Sequence, residues 1–198
     1  MGRSDEELIE ACRQGEASAF DVLVGRWEDR IRGACWRVLG SDDEAREVAQ
    51  EAFFKAYRGL ASFKQEARFS SWLYQIAVNL CRDRLRRRKT RATVSLEELE
   101  ASGPVLAEGR PGVQDALIRE DLASAVRRAI EALSPEQREV VILKEYQGLT
   151  FLEIAQALDV PVSTVKTRLY RGLGQLRLRL ERQGIGGTAP VPVPAPQA

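Results

Sequence analysis

The stretch 149–172, LTFLEIAQALDVPVSTVKTRLYRG, concentrates in its second half side chains that suit nucleic acid. Long cationic donors stand there beside small hydroxyl and methyl groups, a combination that fits phosphates and base edges. These residues are Val162, Ser163, Thr164, Lys166, Thr167, Arg168 and Arg171. To enter a major groove they need a helix with one packed side and one free side. The pattern therefore predicts a helix-turn-helix motif that binds duplex DNA.

Two short helices and a turn must position these side chains, and the sequence predicts all three. Ile154, Ala155 and Leu158 give the first helix its packed side, with Ala155 small enough for a close approach. Pro161 lies in the turn, where its fixed φ suits the start of a helix. The packed stripe of the second helix consists of Val165, Leu169, Leu173 and Leu176.

The alternative for this stretch is an ordinary amphipathic hairpin whose basic side is merely solvated, which is what charge runs usually mean. Residues 146–182 carry 3 acidic against 6 basic residues, although the net charge of the chain is only +1. Residues 67–92 have a larger excess of positive charge, with 1 acidic against 8 basic residues. Because a phosphate backbone responds to local potential, this sorting favours two sites for a polyanion.

The second basic stretch differs from the first because aromatic residues precede it. Phe63, Phe69, Trp72 and Tyr74 stand ahead of Arg82, Arg84, Arg86, Arg87, Arg88, Lys89 and Arg91. Aromatic rings beside cations are typical of single-stranded DNA binding, where stacking contributes about 1–3 kcal/mol per base. The alternative is that Phe69 and Trp72 belong to the core and the arginines to a solvated helix end. Like charges this close repel one another, so we expect a polyanion to neutralise the cluster.

Helical periodicity dominates the chain and predicts an all-α protein. One apolar stripe must face a core, and it consists of Ala45, Val48, Ala49, Ala52, Phe53, Ala56, Tyr57 and Leu60. Ser41 or Asp42 is placed to cap this helix, and Gly59 marks its end. A second stripe, in FSSWLYQIAVNLCRDRLRRR, consists of Trp72, Leu73, Ile76, Ala77, Leu80 and Leu85. Two later helices begin with the capping-box pairs Ser134–Gln137 and Thr150–Glu153.

We expect two small helical domains joined by a flexible linker. Between residues 92 and 113 the periodicity fails, acidic residues predominate, and the turn formers Gly103, Pro104, Gly109, Pro111 and Gly112 appear. The predicted division is a first domain at 1–91, an acidic linker at 92–113, a second domain at 114–183 and a disordered Pro-rich tail at 184–198.

Composition argues against several classes of protein. The chain has no histidine, and its three cysteines, Cys12, Cys35 and Cys81, are isolated residues that we expect to be buried free thiols. No converging set of acidic ligands emerges, which argues against a carboxylate-metal nuclease, so we expect no metal site, no cofactor and no enzymatic activity. No apolar run approaches the roughly 20 residues of a membrane span, and the N-terminus is too acidic for a secretory signal. We expect a cytoplasmic protein with no membrane insertion.

The order of these motifs resembles the extracytoplasmic-function (ECF) group, group 4, of the bacterial sigma-70 family, the RNA polymerase subunits that confer promoter recognition. The resemblance covers about residues 10–182. DEAREVAQEAFFKAYRGLASF is similar to region 2.2 of the family, FSSWLYQIAVNLCRDRLRRR to regions 2.3 and 2.4, and LTFLEIAQALDVPVSTVKTRLYRG to region 4.2. It implies a region 2 helical bundle and a region 4 helix-turn-helix, with the acidic linker in place of a third domain.

The resemblance also implies roles for individual residues. Glu47, Gln50 and Glu51 would bind polymerase. Binding of the −10 element as a single strand falls to Phe63, Lys64, Arg68, Phe69, Ser71, Trp72, Asn79, Asp83, Arg86 and Arg87. Reading of the −35 element as duplex falls to Val162, Ser163, Thr164, Lys166, Arg168 and Arg171. The sequence departs from the family at Glu47, where Asp is common, at Arg46, where an acid is common, and at Val78, where a basic or polar residue is frequent.

The function that the resemblance implies is a promoter-specificity subunit. Its partners would be core RNA polymerase, at the β′ coiled coil and the β flap, promoter DNA, and an anti-sigma factor. Such a subunit melts DNA by binding the unpaired state better than the paired state. The alternative is a stand-alone helix-turn-helix transcriptional regulator, which would bind palindromic duplex without polymerase. The aromatic and arginine residues of the N-terminal half argue against that alternative, since a regulator has no need of them.

Overall fold

The computed structural model of the chain describes residues 2–63, 68–95 and 114–185. Its N-terminal helices are α1 (Asp5–Arg13), α2 (Ser18–Leu39), α3 (Asp42–Gly59) and α4 (Phe69–Ser95), with a 3₁₀ turn, Leu60–Ser62, after α3. Its C-terminal helices are α5 (Gln114–Glu131), α6 (Pro135–Val141), α7 (Phe151–Leu158) and α8 (Val162–Arg182). A π-helical turn, Ile142–Tyr146, continues α6. The described ranges contain no strand, and the all-α fold class is confirmed.

Side-chain caps set the starts of several helices, as predicted. The Ser41 hydroxyl accepts a hydrogen bond from the Glu44 amide at the start of α3. Both capping boxes form, with Ser134 and Gln137 at α6 and with Thr150 and Glu153 at α7. These local bonds satisfy amides that the first turn of a helix leaves unpaired.

The apolar stripe of α3 faces α2 and α4, with one exception. Tyr57 is 50% exposed, whereas the other residues of the predicted stripe are buried. Tyr57 lies at the margin of the stripe, about 90° around the helix axis from its centre. Its ring therefore reaches only the edge of the core, where it packs edge-on against Phe20 with 5.0 Å between ring centroids.

Helix α4 is buried on two sides, not on one. Leu73, Ala77 and Leu80 of the predicted stripe are buried, and Trp72, Ile76 and Leu85 of that stripe are half-buried. A second row, Tyr74, Val78 and Cys81, is also buried, at 1%, 5% and 1% exposure. That row faces α2 together with α6 and the π-helical turn. The C-terminal helices therefore cover a side of α4 that the periodicity did not identify.

The N-terminal and C-terminal helices share one continuous apolar core. Helix α4 extends to Ser95, and residues 96–113 of the predicted linker and 186–198 of the predicted tail lie outside the described residues. The predicted division into two domains stays a prediction. Among the described helices, none has the length and hydropathy needed to cross a membrane.

Candidate nucleic-acid interface

The predicted helix-turn-helix is formed by α7 and α8. Asp159 ends α7 in the left-handed region, with φ 53°, and so reverses the chain within a short turn. The Val160 amide donates to the Ala155 carbonyl at 3.1 Å, which closes the turn. Pro161 occupies the N-cap position of α8 with φ −58°. The turn therefore depends on Asp159 as well as on Pro161, although the spacing of apolar residues along the chain gives no sign of Asp159's role.

The packed sides of the two helices agree with the prediction. Ile154, Ala155 and Leu158 of α7 are buried, and so are Val165 and Leu169 of α8. Leu173 and Leu176, further along α8, are half-buried. The opposite side of α8 is therefore left facing solvent.

The six residues expected at the −35 element lie in the first turns of α8. Ser163, Lys166 and Arg171 are exposed, while Val162, Thr164 and Arg168 are half-buried. The Lys166 ammonium lies 5.7 Å from the centre of the Phe151 ring. Hydrogen bonds from its own backbone and from Ser134 lower the pKa of Glu136, and the charge of the nearby Arg168 lowers it further. Lys166 and Arg171 are thus more open to a phosphate than Arg168, which is half-buried near Glu136.

The residues expected at the −10 element divide into an exposed group and a buried group. Asn79, Asp83, Arg86 and Arg87 are exposed. They share one face of α4, because Asp83 lies four residues after Asn79, three before Arg86 and four before Arg87. Asp83 pairs with Arg86 at 2.7 Å. This exposed face is a surface that a single strand can reach.

The buried group consists of Phe63, Phe69, Ser71 and, in part, Trp72. Phe63 and Trp72 stack with 4.7 Å between ring centroids, and Phe69 meets Phe63 edge-on at 6.2 Å. The Ser71 hydroxyl is buried and has no hydrogen-bond partner within the described residues. The aromatic residues therefore stack on one another in this structure, as expected from the alternative in which Phe69 and Trp72 belong to the core. Lys64 lies outside the described residues, and Arg68 is exposed at the start of α4.

Internal carboxylates neutralise much of the arginine cluster on α4. Arg82 pairs with Glu139 at 2.6 Å and Arg84 with Glu47 at 3.0 Å. Arg86 pairs with Asp83, and Arg88 pairs with Glu44 and also donates to the Leu39 carbonyl at 2.9 Å. Arg82, Arg84, Arg86 and Arg88 thus already have a carboxylate of the same chain as a partner, so these four do not need a polyanion for neutralisation.

The residues expected to bind polymerase are all exposed on α3. Glu47 accepts from Arg84, and Glu51 pairs with Lys55 at 3.1 Å. Gln50 lines a surface groove of about 450 Å³ between α2 and α3, together with Arg46 and acidic residues of α2. The face therefore offers polar groups of both signs beside a groove that a partner's side chain can enter.

Sequence reasoning missed the polar residues that join the two halves of the molecule. Glu139 is 2% exposed, and its two carboxylate oxygens accept from Arg82 at 2.8 and 2.6 Å. This hydrogen bond raises the pKa of Arg82. The Tyr74 hydroxyl donates to Gln147 at 2.8 Å, and burial raises the pKa of Tyr74. The available signal was an acidic residue directly before the apolar run VVIL.

The prediction of buried free thiols is confirmed for Cys35 and Cys81. Cys12 is also a free thiol, but it is only half-buried. Within the ranges that the structure describes, no group of three or more His, Cys, Asp or Glu is placed to hold a metal ion.

Comparison with known proteins identifies two family segments in the chain. Residues 23–91 match the family model of Sigma-70 region 2, and residues 123–176 match that of Sigma-70, region 4. The first segment contains the exposed faces of α3 and α4, and the second contains the helix-turn-helix. A stand-alone regulator accounts for the second segment only, so that alternative is not favoured.

Curated relatives match over most of the chain. The ECF RNA polymerase sigma factor SigW of Bacillus subtilis is 36% identical over 180 residues, which is 88% of this chain and 96% of SigW. The RNA polymerase sigma-H factor of Pseudomonas aeruginosa is 34% identical over 84% of this chain and 89% of its own length. The ECF RNA polymerase sigma-E factor of Escherichia coli is 34% identical over 85% of this chain and 90% of its own length.

Solved structures share the fold. CnrH, in complex with the cytosolic domain of CnrY, aligns with a TM-score of 0.68 at 23% identity, over 91% of this chain and 99% of CnrH. The sigma factor RpoE of Bartonella quintana, in complex with the anti-sigma factor NepR, aligns with a TM-score of 0.66 at 21% identity, over 82% of this chain and 96% of RpoE. From the family segments and the sequence identity to curated relatives, the chain belongs to the ECF RNA polymerase sigma factors of the sigma-70 family.

Proposed function

We propose that this sigma factor divides its contacts among three helical faces. Helix α3 binds core RNA polymerase through Glu47, Gln50 and Glu51. Helix α4 and the segment before it bind the non-template strand of the opened −10 element. Helix α8 binds the −35 element as duplex. The main support is that exposed cations remain on two separate faces, on α4 and α8, after the internal ion pairs have formed.

On α8 the proposed contacts combine phosphate binding with base reading. Lys166 and Arg171 are exposed cations that suit phosphates or guanine edges. Ser163 lies at the start of the helix, whose first turns enter the major groove in helix-turn-helix proteins. The first turns of α8 therefore combine positive charge with short polar groups.

On α4 the proposed contact is with unpaired DNA. Arg86, Arg87 and Asn79 stay exposed on one face, and the ring cluster of Phe63, Phe69 and Trp72 lies at the N-terminal end of the helix. A protein that binds the unpaired strand better than the duplex shifts the melting equilibrium by its differential affinity. The proposed activity is thus binding and not covalent catalysis, so we propose no cofactor and no enzymatic role.

The proposed partners follow from this division. They are core polymerase, at its β′ coiled coil and β flap, and promoter DNA in both duplex and single-stranded form. The complex of RpoE with the anti-sigma factor NepR supports an anti-sigma factor as a further partner of this chain. Because bacterial polymerase and chromosome lie in the cytoplasm, the proposed function places the chain there.

Run-off transcription with core polymerase of the source bacterium on a genomic library tests the proposal. We expect defined transcripts that require the chain, and the library yields the promoter sequence as well. The double variant Gln50→Ala with Glu51→Ala should lose most transcripts and should bind core polymerase more weakly in a pull-down. A matched control is Glu10→Ala with Gln14→Ala, which removes an exposed Glu and Gln pair from the C-terminal end of α1 and its cap. Equal transcription with and without the chain would contradict the proposal.

A further inference from the structure

Helix α1 lies outside the segment that matches Sigma-70 region 2, which begins at residue 23. The last residue of α1, Arg13, nevertheless contacts the chain at Phe63, the first residue of the ring cluster. We propose that Arg13 is a positioning residue for −10 recognition, which fixes the ring cluster where an unpaired strand meets α4. This inference rests on the proposed function and adds to it a residue outside the matched segment.

The Arg13 guanidinium binds two backbone carbonyls just after α3. Its Nε and Nη2 each donate to the Leu60 carbonyl at 3.3 Å, and Nη2 also donates to the Phe63 carbonyl. These two carbonyls begin and follow the 3₁₀ turn Leu60–Ser62. The end of a helix leaves carbonyls unpaired, and the helix dipole favours a cation there. Arg13 therefore ties α1 to both ends of the turn that leads into the ring cluster.

Helix α1 is itself fixed to the rest of the molecule. Leu8 and Ile9 are buried in the core at 1% and 0% exposure. At the first turn of α1, Asp5 accepts a hydrogen bond from the Trp27 indole at 3.0 Å and pairs with Arg26, and both partners belong to α2. The core and α2 therefore set the position from which the guanidinium at the other end of α1 reaches the turn.

The ring cluster depends on the position of the residue that Arg13 holds. Phe63 stacks on Trp72 with 4.7 Å between ring centroids, and both rings contact Phe69. Phe63 and Phe69 are 7% and 2% exposed, whereas Trp72 is half-buried. Trp72 also lies against the end of α3, because a Cβ atom at Gly59 would meet its ring at 3.1 Å. A displaced Phe63 would therefore leave the Trp72 ring without its stacking partner.

The ring cluster lies at one end of the face on which we propose that the unpaired strand binds. Trp72 precedes Asn79 by seven residues, which is about two helical turns and returns to the same side of α4. An unpaired base gains from contact with aromatic rings, and rings that are already held in place lose less freedom when the base arrives. Arg13 thereby raises the affinity for the unpaired strand without touching DNA itself.

Holoenzyme assembled with core polymerase provides the test. The probe is a fluorescein-labelled oligonucleotide with the non-template −10 sequence of the promoters that the transcription library yields. Arg13→Ala should bind this probe about tenfold more weakly by fluorescence anisotropy, and should discriminate less between the probe and oligonucleotides with one base changed. A smaller amount of folded protein would weaken all these affinities equally, whereas a displaced ring cluster reduces the ratio between them. Affinity for core polymerase and for the −35 duplex should stay at wild-type values.

Further variants separate the carbonyl contacts of Arg13 from its charge. Arg13→Lys keeps the charge but has a single donor nitrogen, so it should hold fewer carbonyl contacts and give an intermediate affinity. Arg3→Ala is the matched control, because Arg3 pairs with the exposed carboxylate of Glu16 at 2.6 Å and should leave −10 binding unchanged. Glu10→Ala with Gln14→Ala should also behave as wild type, since Glu10 forms only an exposed pair with Arg13 at 3.9 Å.

Gly59→Ala tests the same geometry in a chain that keeps Arg13. Its methyl group pushes the Trp72 ring away from the end of α3, while alanine favours the helix, so the variant should fold and yet lose base discrimination.

The outcomes separate this inference from the proposed function. Wild-type affinity and discrimination in Arg13→Ala would overturn the inference and leave the proposed function standing. Equal losses of −10, −35 and polymerase binding in Arg13→Ala would do the same. If Arg13→Ala does not fold, wild-type discrimination in Gly59→Ala decides against the inference. A wild-type holoenzyme that does not bind the probe would overturn the proposed function and this inference with it.

Discussion

At the scale of single residues, the cationic side chains divide by whether the chain itself binds them. Arg82 and Arg88 each have a carboxylate partner, and Arg138 donates to backbone carbonyls. Lys166 and Arg171 are exposed on α8 and have no carboxylate partner among the described residues. A cation that is already paired must give up its partner to bind a phosphate, so an unpaired cation gains more from DNA.

Arg171→Ala should therefore weaken binding of the −35 duplex in a salt-dependent way. The slope of log affinity against log salt concentration should become shallower by about 0.9 if one phosphate contact is lost. Arg177→Ala is the matched control, because Arg177 lies on the same helix but pairs with Glu181 at 2.6 Å. Fluorescence anisotropy across a salt series measures both slopes, and equal slopes for Arg171→Ala and wild type would refute the phosphate contact.

At the scale of secondary-structure elements, α8 is positioned by a close approach to α6. A Cβ atom at Gly172 would meet Val141 Cγ2 at 3.1 Å and Gln137 Cβ at 3.4 Å. Val141 is itself 2% exposed, so its methyl group has little room to move. At Gly174, two residues further along the same helix, a Cβ would meet nothing within 4 Å. Of the two glycines of α8, only Gly172 therefore has a position at which a larger residue would collide with α6.

The two corresponding alanine variants should differ in stability. Gly174→Ala should stabilise the chain by about 0.5–1 kcal/mol, because alanine loses less backbone entropy than glycine in a helix. Gly172→Ala has the same gain in helix propensity, but its new methyl group forces Val141 aside. It should therefore be less stable than Gly174→Ala by about 1 kcal/mol or more. Urea unfolding followed by circular dichroism measures the difference. Equal stability of the two variants would mean that α6 and α8 are not in close contact in solution.

At the scale of the whole molecule, the N-terminal and C-terminal helices pack around one shared core. Their shared core contains Ile142, Leu143 and Val78, and the Arg68–Glu153 pair lies at its edge. Burial alone would raise the pKa of Glu153, but hydrogen bonds from the backbone and hydroxyl of Thr150, together with Arg68, hold that pKa below its usual 4.5. The ionised form of Glu153 therefore stabilises both α7 and the contact with α4.

Acidification should weaken this arrangement. Because the pKa of Glu153 is lower in the folded chain than in the unfolded chain, its contribution is fully present above about pH 4.5 and is lost as the pH falls through the folded value. Glu153→Gln keeps a capping group but cannot titrate there, so its stability should fall less between pH 6 and pH 3 than that of wild type. Urea midpoints measured across that range test this. Parallel curves for the two proteins would show that Glu153 has no special stabilising role.

Much of the fold could be predicted from the sequence because the signals involved are local. The caps at Ser41, Ser134 and Thr150 act within three residues, and they form as predicted. The packed sides of α7 and α8 also follow from spacing along each helix, since residues three and four apart share a face. The exposed face of α8 was predicted for the same reason.

The parts of the candidate site that differ from prediction involve residues far apart in the chain. Arg82 and Glu139 are 57 positions apart, and Tyr74 and Gln147 are 73 apart. No periodicity within α4 shows that carboxylates from α3 and α6 neutralise its arginines, or that Val78 is covered. The stacking of Phe63 on Trp72 likewise depends on where α3 ends relative to α4.

The sequence by itself determined that the chain is helical, where the capped helices begin, and one side of α3, α4, α7 and α8 that must be buried, because these properties depend on neighbouring residues. Only the tertiary structure decided which helix covers which, that α4 is buried on two sides, and which cations stay exposed to DNA. The physical reason is that burial and ion pairing are set by distances in space, and residues separated by many positions come together only when the whole chain packs.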